Sequence, residues 1–178
     1  VVLPNGLVIP LVALTRAQVI HNSPSPTVDV YLDDDIAIDN FAFRQATNFG
    51  LLPARVPFDL SVAPGNSTSV NDAIYTLSID RLDIGKNYII MAAGVVGDPN
   101  TPFQLYVNAD GRSSAQNAGE VDLVLFHGAP DAPDVDVQVP GGPILFDDIA
   151  FGAFSDYISV PAASYVVQVT PANDNSTI

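Results

Sequence analysis

The chain contains no cysteine among its 178 residues. A disulfide framework, a thiolate metal site and a cysteine nucleophile are therefore excluded. No apolar run reaches the roughly 20 residues that a membrane-spanning helix needs. Residues 1–14 are apolar apart from one Asn-Gly turn signal, but they lack the basic start and small-residue cleavage site of a signal peptide. We expect this segment to begin a mature, processed chain.

Basic residues and glutamate are scarce as well. Lys and Arg total 6 against 20 acidic residues, which gives a net charge of −14, and Glu120 and Lys86 are the only residues of their kinds. Nucleic acids and anionic membrane surfaces attract clustered Lys and Arg, so neither is an expected partner. Glu and Lys usually fill exposed helix positions, whereas 15 Pro and 12 Gly favour turns. The composition therefore predicts an all-β protein.

The remaining pattern is typical of short β-strands. Residues 73–80 (Ala-Ile-Tyr-Thr-Leu-Ser-Ile-Asp) place Tyr, Leu and Ile on one face and Thr, Ser and Asp on the other. Turn signals recur about every ten residues, which favours a β-sandwich or barrel. The same reasoning predicts further strands at residues 17–20, 27–32, 36–38, 49–52, 56–62, 87–93 and 102–107.

One motif occurs twice. His-Gly-Ala-Pro-Asp-Ala-Pro-Asp-Val-Asp-Val occupies residues 127–137, and His-Asn-Ser-Pro-Ser-Pro-Thr-Val-Asp-Val occupies residues 21–30. Each copy predicts a strand that ends in His, a turn braced by Pro and a new strand that begins Val-Asp-Val. We assign this structural role to five residues: His21, Pro24, His127, Pro130 and Pro133.

The repeat sets the expected domain organisation. The match between the copies ends at Pro171, whereas the first copy continues beyond Pro64 for roughly forty residues and three predicted strands. A second repeat without these strands would expose an apolar groove and unpaired strand edges, which soluble proteins avoid. We predict four parts: an apolar N-terminal arm (1–14), a first β-sandwich repeat (15–110), a polar linker (111–119) and a second, incomplete repeat (120–178).

The histidines could act as bases or metal ligands, but their equivalent placement before a Pro turn indicates rings that satisfy turn carbonyls. No Gly-x-Ser-x-Gly elbow, phosphate loop or zinc spacing occurs, so we expect no enzyme, no catalytic residue and no cofactor. A Ca²⁺ site at residues 33–35, or at Asp131, Asp134 and Asp136, is the alternative. These carboxylates suit Ca²⁺, but neither set follows the EF-hand pattern and Asp is common in turns.

Two Asn-x-Ser/Thr triplets lie at nearly equivalent positions of the two copies. They begin at Asn66 and Asn175. Such triplets are acceptors for N-linked glycans, although about one is expected by chance in a chain of this composition. Both asparagines are therefore candidate glycosylation sites.

The motifs resemble a family of bacterial and archaeal cell-surface domains of unknown function. Its signature, His-Ala-Ser-Pro-Asp-Ala-Pro-x-Val-Asp-Val, is followed by Phe-Gly-x-x-Ser-Asp-Tyr and by Pro-Ala-Gly-x-Tyr-x-Val-x-Val-Thr-Pro. Residues 127–137, 151–157 and 161–171 match these segments closely. In the first copy Ser25 replaces the Asp, one residue is missing, and residues 44–48 differ. The resemblance covers residues 16–178 and implies tandem immunoglobulin-like β-sandwiches on exported proteins, with no known activity.

A spare apolar arm and an incomplete repeat together suggest strand exchange between chains. We expect the arm to fill the second repeat of a neighbouring chain and so to build an extracellular homopolymer, because contacts between two different surfaces propagate. The donor residues would be Leu7, Val8, Ile9, Leu11, Val12 and Leu14. Two alternatives stay open: a fragment of a longer protein that completes the second repeat in cis, and a cell-surface module that binds polysaccharide or another surface protein.

Overall fold

The computed structural model describes residues 12–172, together with Pro4 and Asp174. Within these residues the chain is all-β, which confirms the predicted fold class, and its single helical element is a short 3-10 turn at Val70–Asp72. The strands are β1 (Leu14–His21), β2 (Val28–Leu32), β3 (Asp35–Phe41), β4 (Gly50–Pro53), β5 (Phe58–Pro64), β6 (Tyr75–Ile79), β7 (Asn87–Ala93), β8 (Gln104–Asn108), β9 (Glu120–Leu123), β10 (Val135–Gln138), β11 (Ile144–Ile149), β12 (Ile158–Pro161) and β13 (Gln168–Pro171).

Strands β1–β8 form what we term the first unit, built of two four-stranded sheets. Their strand orders are β4-β1-β7-β8 and β3-β2-β5-β6. Neighbouring strands are antiparallel except for β1 and β7, which run parallel. Each of the eight strands predicted from the sequence between residues 17 and 107 is present.

The core of the first unit lies between its two sheets. One cluster of buried side chains joins Ala17 and Ile90 of one sheet with Val28 and Val62 of the other. The central strand β7 is buried at six of its seven positions, which explains its continuous apolar sequence. Full burial of such aliphatic side chains stabilises the fold by roughly 1.5–3 kcal/mol each.

Strands β9–β13 form the second unit. It contains a three-stranded sheet, β11-β10-β13, and a two-stranded sheet, β12-β9. The pairing repeats that of the first unit: Leu14 pairs with Pro53 in β1 and β4, and Glu120 pairs with Pro161 in β9 and β12. Strands β9, β10, β11, β12 and β13 are thus the counterparts of β1, β2, β3, β4 and β5.

Residues 111–119 contain no strand. Within them, Arg112 contacts two residues of the second unit, Asp122 and Tyr157. Its backbone N–H donates to the Tyr157 hydroxyl (3.1 Å), and its guanidinium lies 4.2 Å from the centre of the Tyr157 ring. The guanidinium also bonds Asp122 at 2.7 Å. Hydrogen bonds from Ser159 and from Arg112 lower the pKa of the Asp122 carboxyl. The predicted linker is therefore attached to the unit that follows it.

Most of the predicted arm, including Leu7, Val8, Ile9 and Leu11, lies outside the described residues. Val12 is 65% exposed and Leu14 is 43% exposed. Leu14 is the first residue of β1 and pairs with Pro53, so the first unit begins there. Within the described part of the chain, no helix has both the length and the apolar character needed to span a bilayer.

Candidate functional site on the second unit

The two His-Pro corners have the same internal hydrogen bonds. In the first unit, Nε2 of His21 donates to the Pro26 carbonyl (3.0 Å), and Nδ1 accepts from the Ser23 N–H (3.2 Å). In the second unit, Nε2 of His127 donates to the Pro133 carbonyl (2.9 Å), and Nδ1 accepts from the Ala129 N–H (3.3 Å). Because Nδ1 accepts, each ring is assigned as the neutral tautomer with its proton on Nε2.

Both nitrogens of each histidine are thus used inside the corner. His21 is fully buried and His127 is 5% exposed. Burial lowers the pKa of His21, and the hydrogen bond to the Pro26 carbonyl offsets only part of that shift. Each ring therefore braces its turn through both nitrogens and has little access to solvent.

The Asp of each Val-Asp-Val segment has a second structural role. A carboxylate oxygen of Asp29 accepts from the Asn40 N–H (2.9 Å), and one of Asp136 accepts from the Asp148 N–H (2.8 Å). Asn40 and Asp148 both adopt φ of +52°, the left-handed region that Asn and Asp tolerate best. The bonds hold matching bulges in β3 and β11.

Asp29 is buried as well as bonded. Burial would raise the pKa of its carboxyl, but hydrogen bonds from the Ser67 hydroxyl and from the Asn40 N–H together hold that pKa below its usual value. Sequence reasoning missed this role of Asp29 and of Asp136. The signal was present, because Asn40 and Asp148 follow the two carboxylates at nearly the same spacing.

The units differ where β6, β7 and β8 would be expected in the second. Among the described residues no strand pairs with the edge of β9 that corresponds to the edge of β1 bound by β7. Val62 in β5 is 1% exposed, whereas its counterpart Val169 in β13 is 40% exposed. Strand β13 is also shorter than β5. Phe58 pairs with Ile79 of β6, whereas no described strand pairs with Tyr165, its equivalent in the second copy.

The result is an apolar groove of about 780 Å³ along the second unit. Its floor includes Leu125, Val137 and Val169, and its far wall is formed by Phe43 and Arg44 of the first unit. The guanidinium of Arg44 lies 5.0 Å from the centre of the Phe43 ring. In the first unit the corresponding space is filled by β7.

The two units contact each other beside the groove. Asn22 Nδ2 donates to the Gly128 carbonyl (3.0 Å), and the Tyr106 ring of β8 lies 5.3 Å from the Phe126 ring. Gly152 has φ of +79°, and a Cβ there would lie 2.6 Å from the Tyr106 ring. Only glycine satisfies both constraints, so Gly152 allows the close approach of β8.

In the part of the chain that the structure covers, no three His, Asp or Glu side chains come together as a metal site requires. The carboxylate of Asp33, a candidate Ca²⁺ ligand, accepts a hydrogen bond from the Asp59 N–H (2.9 Å). Asn66 is exposed in a turn after β5, and Asn175 lies outside the described residues.

Comparison with family models identifies residues 15–138 and 125–178 as matches to one family, described as a domain of unknown function (DUF4397). No curated protein matches the chain. The two family matches overlap at the His127 corner and together extend over most of the sequence, including both copies of the repeated motif. The chain therefore belongs to the DUF4397 family of domains of unknown function.

Proposed function

We propose that the chain is the structural subunit of an extracellular filament, in which the N-terminal arm of one subunit fills the groove of the next. The observation that carries this proposal is the contrast between β7 and the groove. The second unit repeats the pairing of β1 with β4 and of β2 with its neighbours, yet no strand of the described residues takes the place of β7. An apolar strand is the kind of ligand such a place accepts.

The two units are, in this proposal, tandem copies of one immunoglobulin-like domain on the cell surface. Their matching corners and bulges support the duplication. An acidic chain with no cysteine has no need of a reducing compartment and would repel polyanions. These features are compatible with a role outside the cell.

The energetics favour a strand that is both apolar and well paired. Burial of five or six large side chains contributes on the order of 10 kcal/mol. Ordering the arm costs about 1–2 kcal/mol per residue. Main-chain hydrogen bonds to the edge of β9 that no described strand pairs with would therefore decide the outcome. Because arm and groove are different surfaces, the contact is heterologous and propagates unless it closes into a ring.

Removal of residues 1–11 tests the proposal while leaving β1 intact. We expect the shortened chain to remain monomeric, with a folded first unit, and the full chain to form filaments visible by negative-stain microscopy. A synthetic peptide of residues 1–14 should then bind the shortened chain and raise the melting temperature of its second unit, because it completes the core.

A matched peptide in which Leu7, Ile9 and Leu11 are replaced by Ser controls for nonspecific binding. Filaments from the shortened chain would overturn the proposal. The proposal would also fail if, in the shortened chain, the second unit were as well protected from hydrogen exchange as the first and did not bind the peptide.

A further inference from the structure

We propose that Arg44 is a specificity-determining residue of the groove, where its guanidinium binds a carboxylate of the neighbouring subunit. This inference rests on the proposed function and adds a charged contact to a surface that is lined mainly by apolar residues. It follows from the backbone conformation of Arg44, from the position of its guanidinium and from the charge of the chain.

Arg44 occupies a backbone position that favours glycine. The Arg44 N–H donates to the His21 carbonyl (2.8 Å), and in the second unit the Gly152 N–H donates to the His127 carbonyl (2.7 Å). The two residues are therefore equivalent, and both are left-handed, with φ of +68° at Arg44 and +79° at Gly152. A side chain makes this conformation less favourable than it is for glycine. Backbone stability alone would favour glycine at residue 44, so the presence of arginine points to a role of its side chain.

The guanidinium of Arg44 lies at the wall of the groove. It is centred 5.0 Å from the Phe43 ring, and both residues are exposed and line the groove. Stacking on an aromatic face orients the guanidinium plane and leaves the N–H donors at its edge available. Within the described part of the chain no carboxylate pairs with Arg44, because the three ion pairs found there belong to Arg81, Lys86 and Arg112.

A carboxylate of a second copy is the group that matches this donor. The planar guanidinium fits the two oxygens of a carboxylate or of a phosphate. The chain itself supplies only the first of these, and it carries 20 acidic residues against 6 basic ones. Asp131 also lines the groove but is not within ion-pair distance of Arg44. The guanidinium is therefore available to an acidic group of an incoming subunit.

Filling of the groove would make this charge selective. A segment placed against Phe43 removes water from around the guanidinium, and a hydrogen-bonded carboxylate offsets the cost of that desolvation. A ligand without an anionic group would leave the charge unpaired, and a basic ligand would be repelled. The groove would therefore favour an acidic neighbour, such as another copy of this chain, over other apolar segments.

Replacement of Arg44 by glycine separates the role of the side chain from that of the backbone. We expect Arg44→Gly to leave the melting temperature of the first unit unchanged or to raise it, because relief of the left-handed conformation offsets the greater freedom of unfolded glycine. The same variant should raise the critical concentration for assembly, measured by sedimentation, about tenfold, because a charged hydrogen bond is lost. A residue with only a structural role would not weaken assembly without also lowering stability.

Arg55→Gly is the matched control. Arg55 is exposed and left-handed, with φ of +63°, but it does not line the groove. Its replacement removes the same charge, so Arg55→Gly should assemble like the natural chain. Arg44→Lys should recover part of the loss, because it keeps the charge but lacks the planar pair of donors. Added salt should narrow the difference between Arg44→Gly and the natural chain.

The outcomes separate this inference from the proposed function. If the natural chain forms filaments and Arg44→Gly assembles equally well, or if Arg55→Gly is impaired to the same extent, Arg44 has no selective role and strand donation still stands. A lowered melting temperature of Arg44→Gly would assign the defect to folding and also overturn the inference. Normal assembly of Arg44→Gly with loss of binding to alginate, a polymer of carboxylated sugars, would replace the second copy by an acidic polysaccharide. A natural chain that forms no filaments would overturn both proposals.

Discussion

The two units share their corners but not their cores. Both contain a buried histidine that bonds a Pro carbonyl and an aspartate that holds a left-handed residue in the next strand. In the first unit the buried core includes β7, whereas in the second unit the His127 corner borders an apolar groove. The signature of the sequence therefore describes local corners, which form in both units although the described second unit has no counterpart of β7.

This contrast separates two sources of stability. Corner bonds act over five or six residues and depend little on distant strands. Core burial depends on strands far apart in sequence, such as β1 and β7. If this division holds, equivalent substitutions should cost less in the second unit, where the groove borders both the corner and the core side chains.

Loss of the corner histidine should have the largest effect. His21→Ala removes a fully buried ring and leaves the Pro26 carbonyl and the Ser23 N–H without partners, so we expect a loss of about 3–5 kcal/mol. His127→Ala should cost less, about 1–3 kcal/mol, because water in the groove can reach the freed groups.

Urea unfolding combined with hydrogen exchange, read at β2 and at β10, would measure each loss in its own unit. His→Gln at each position is the matched control, since its amide can restore one of the two bonds. Equal losses at both corners would show that the groove is closed to water.

Substitution of the equivalent residues Val62 and Val169 measures the contribution of core burial in each unit. Val62→Ala should destabilise the first unit by about 2 kcal/mol, because Val62 is buried against β7. Val169→Ala should change the stability of the monomer by less than about 0.5 kcal/mol, since the side chain is 40% exposed. In the proposed filament Val169 would become buried, so the same change should raise the critical concentration for assembly severalfold. A Val169 variant that assembles normally would contradict the proposed place of the arm.

Much of the first unit was predictable because its signals are local. Apolar alternation and turn residues located β2, β5 and β6, and the equivalent placement of His21 and His127 predicted a structural role for both. The parallel pairing of β1 with β7 was not predictable in the same way. Residues such as Val19 and Ile90 are far apart in sequence, and no local pattern specifies which strands meet.

The second unit shows where comparison of two copies fails. The repeat aligns Tyr165 with Phe58, the first residue of β5, but β13 begins only at Gln168. Phe58 is paired with β6, and the described second unit has no counterpart of β6. A repeat predicts side-chain chemistry at each position, whereas strand length also depends on the neighbours that the copy retains.

The smallest effect should appear as a dependence on pH. Burial lowers the pKa of His21 in the folded chain, with partial compensation from the Pro26 carbonyl. The unfolded chain then takes up a proton first as the pH falls below about 6.5. Stability from this group is complete above that pH and is lost as the pH falls towards the lower, folded pKa, by at most about 1.4 kcal/mol per pH unit.

Unfolding midpoints measured between about pH 8 and pH 5 should therefore decline on the acid side for the natural chain. The decline should be shallower for His21→Gln, which has no titrating ring but can still donate to the Pro26 carbonyl. Hydrogen exchange measured at the backbone amides of β2 and β7 would show whether the loss of stability occurs in the first unit. If His21→Gln follows the same curve as the natural chain, the acid sensitivity arises elsewhere and His21 is not buried as a neutral ring.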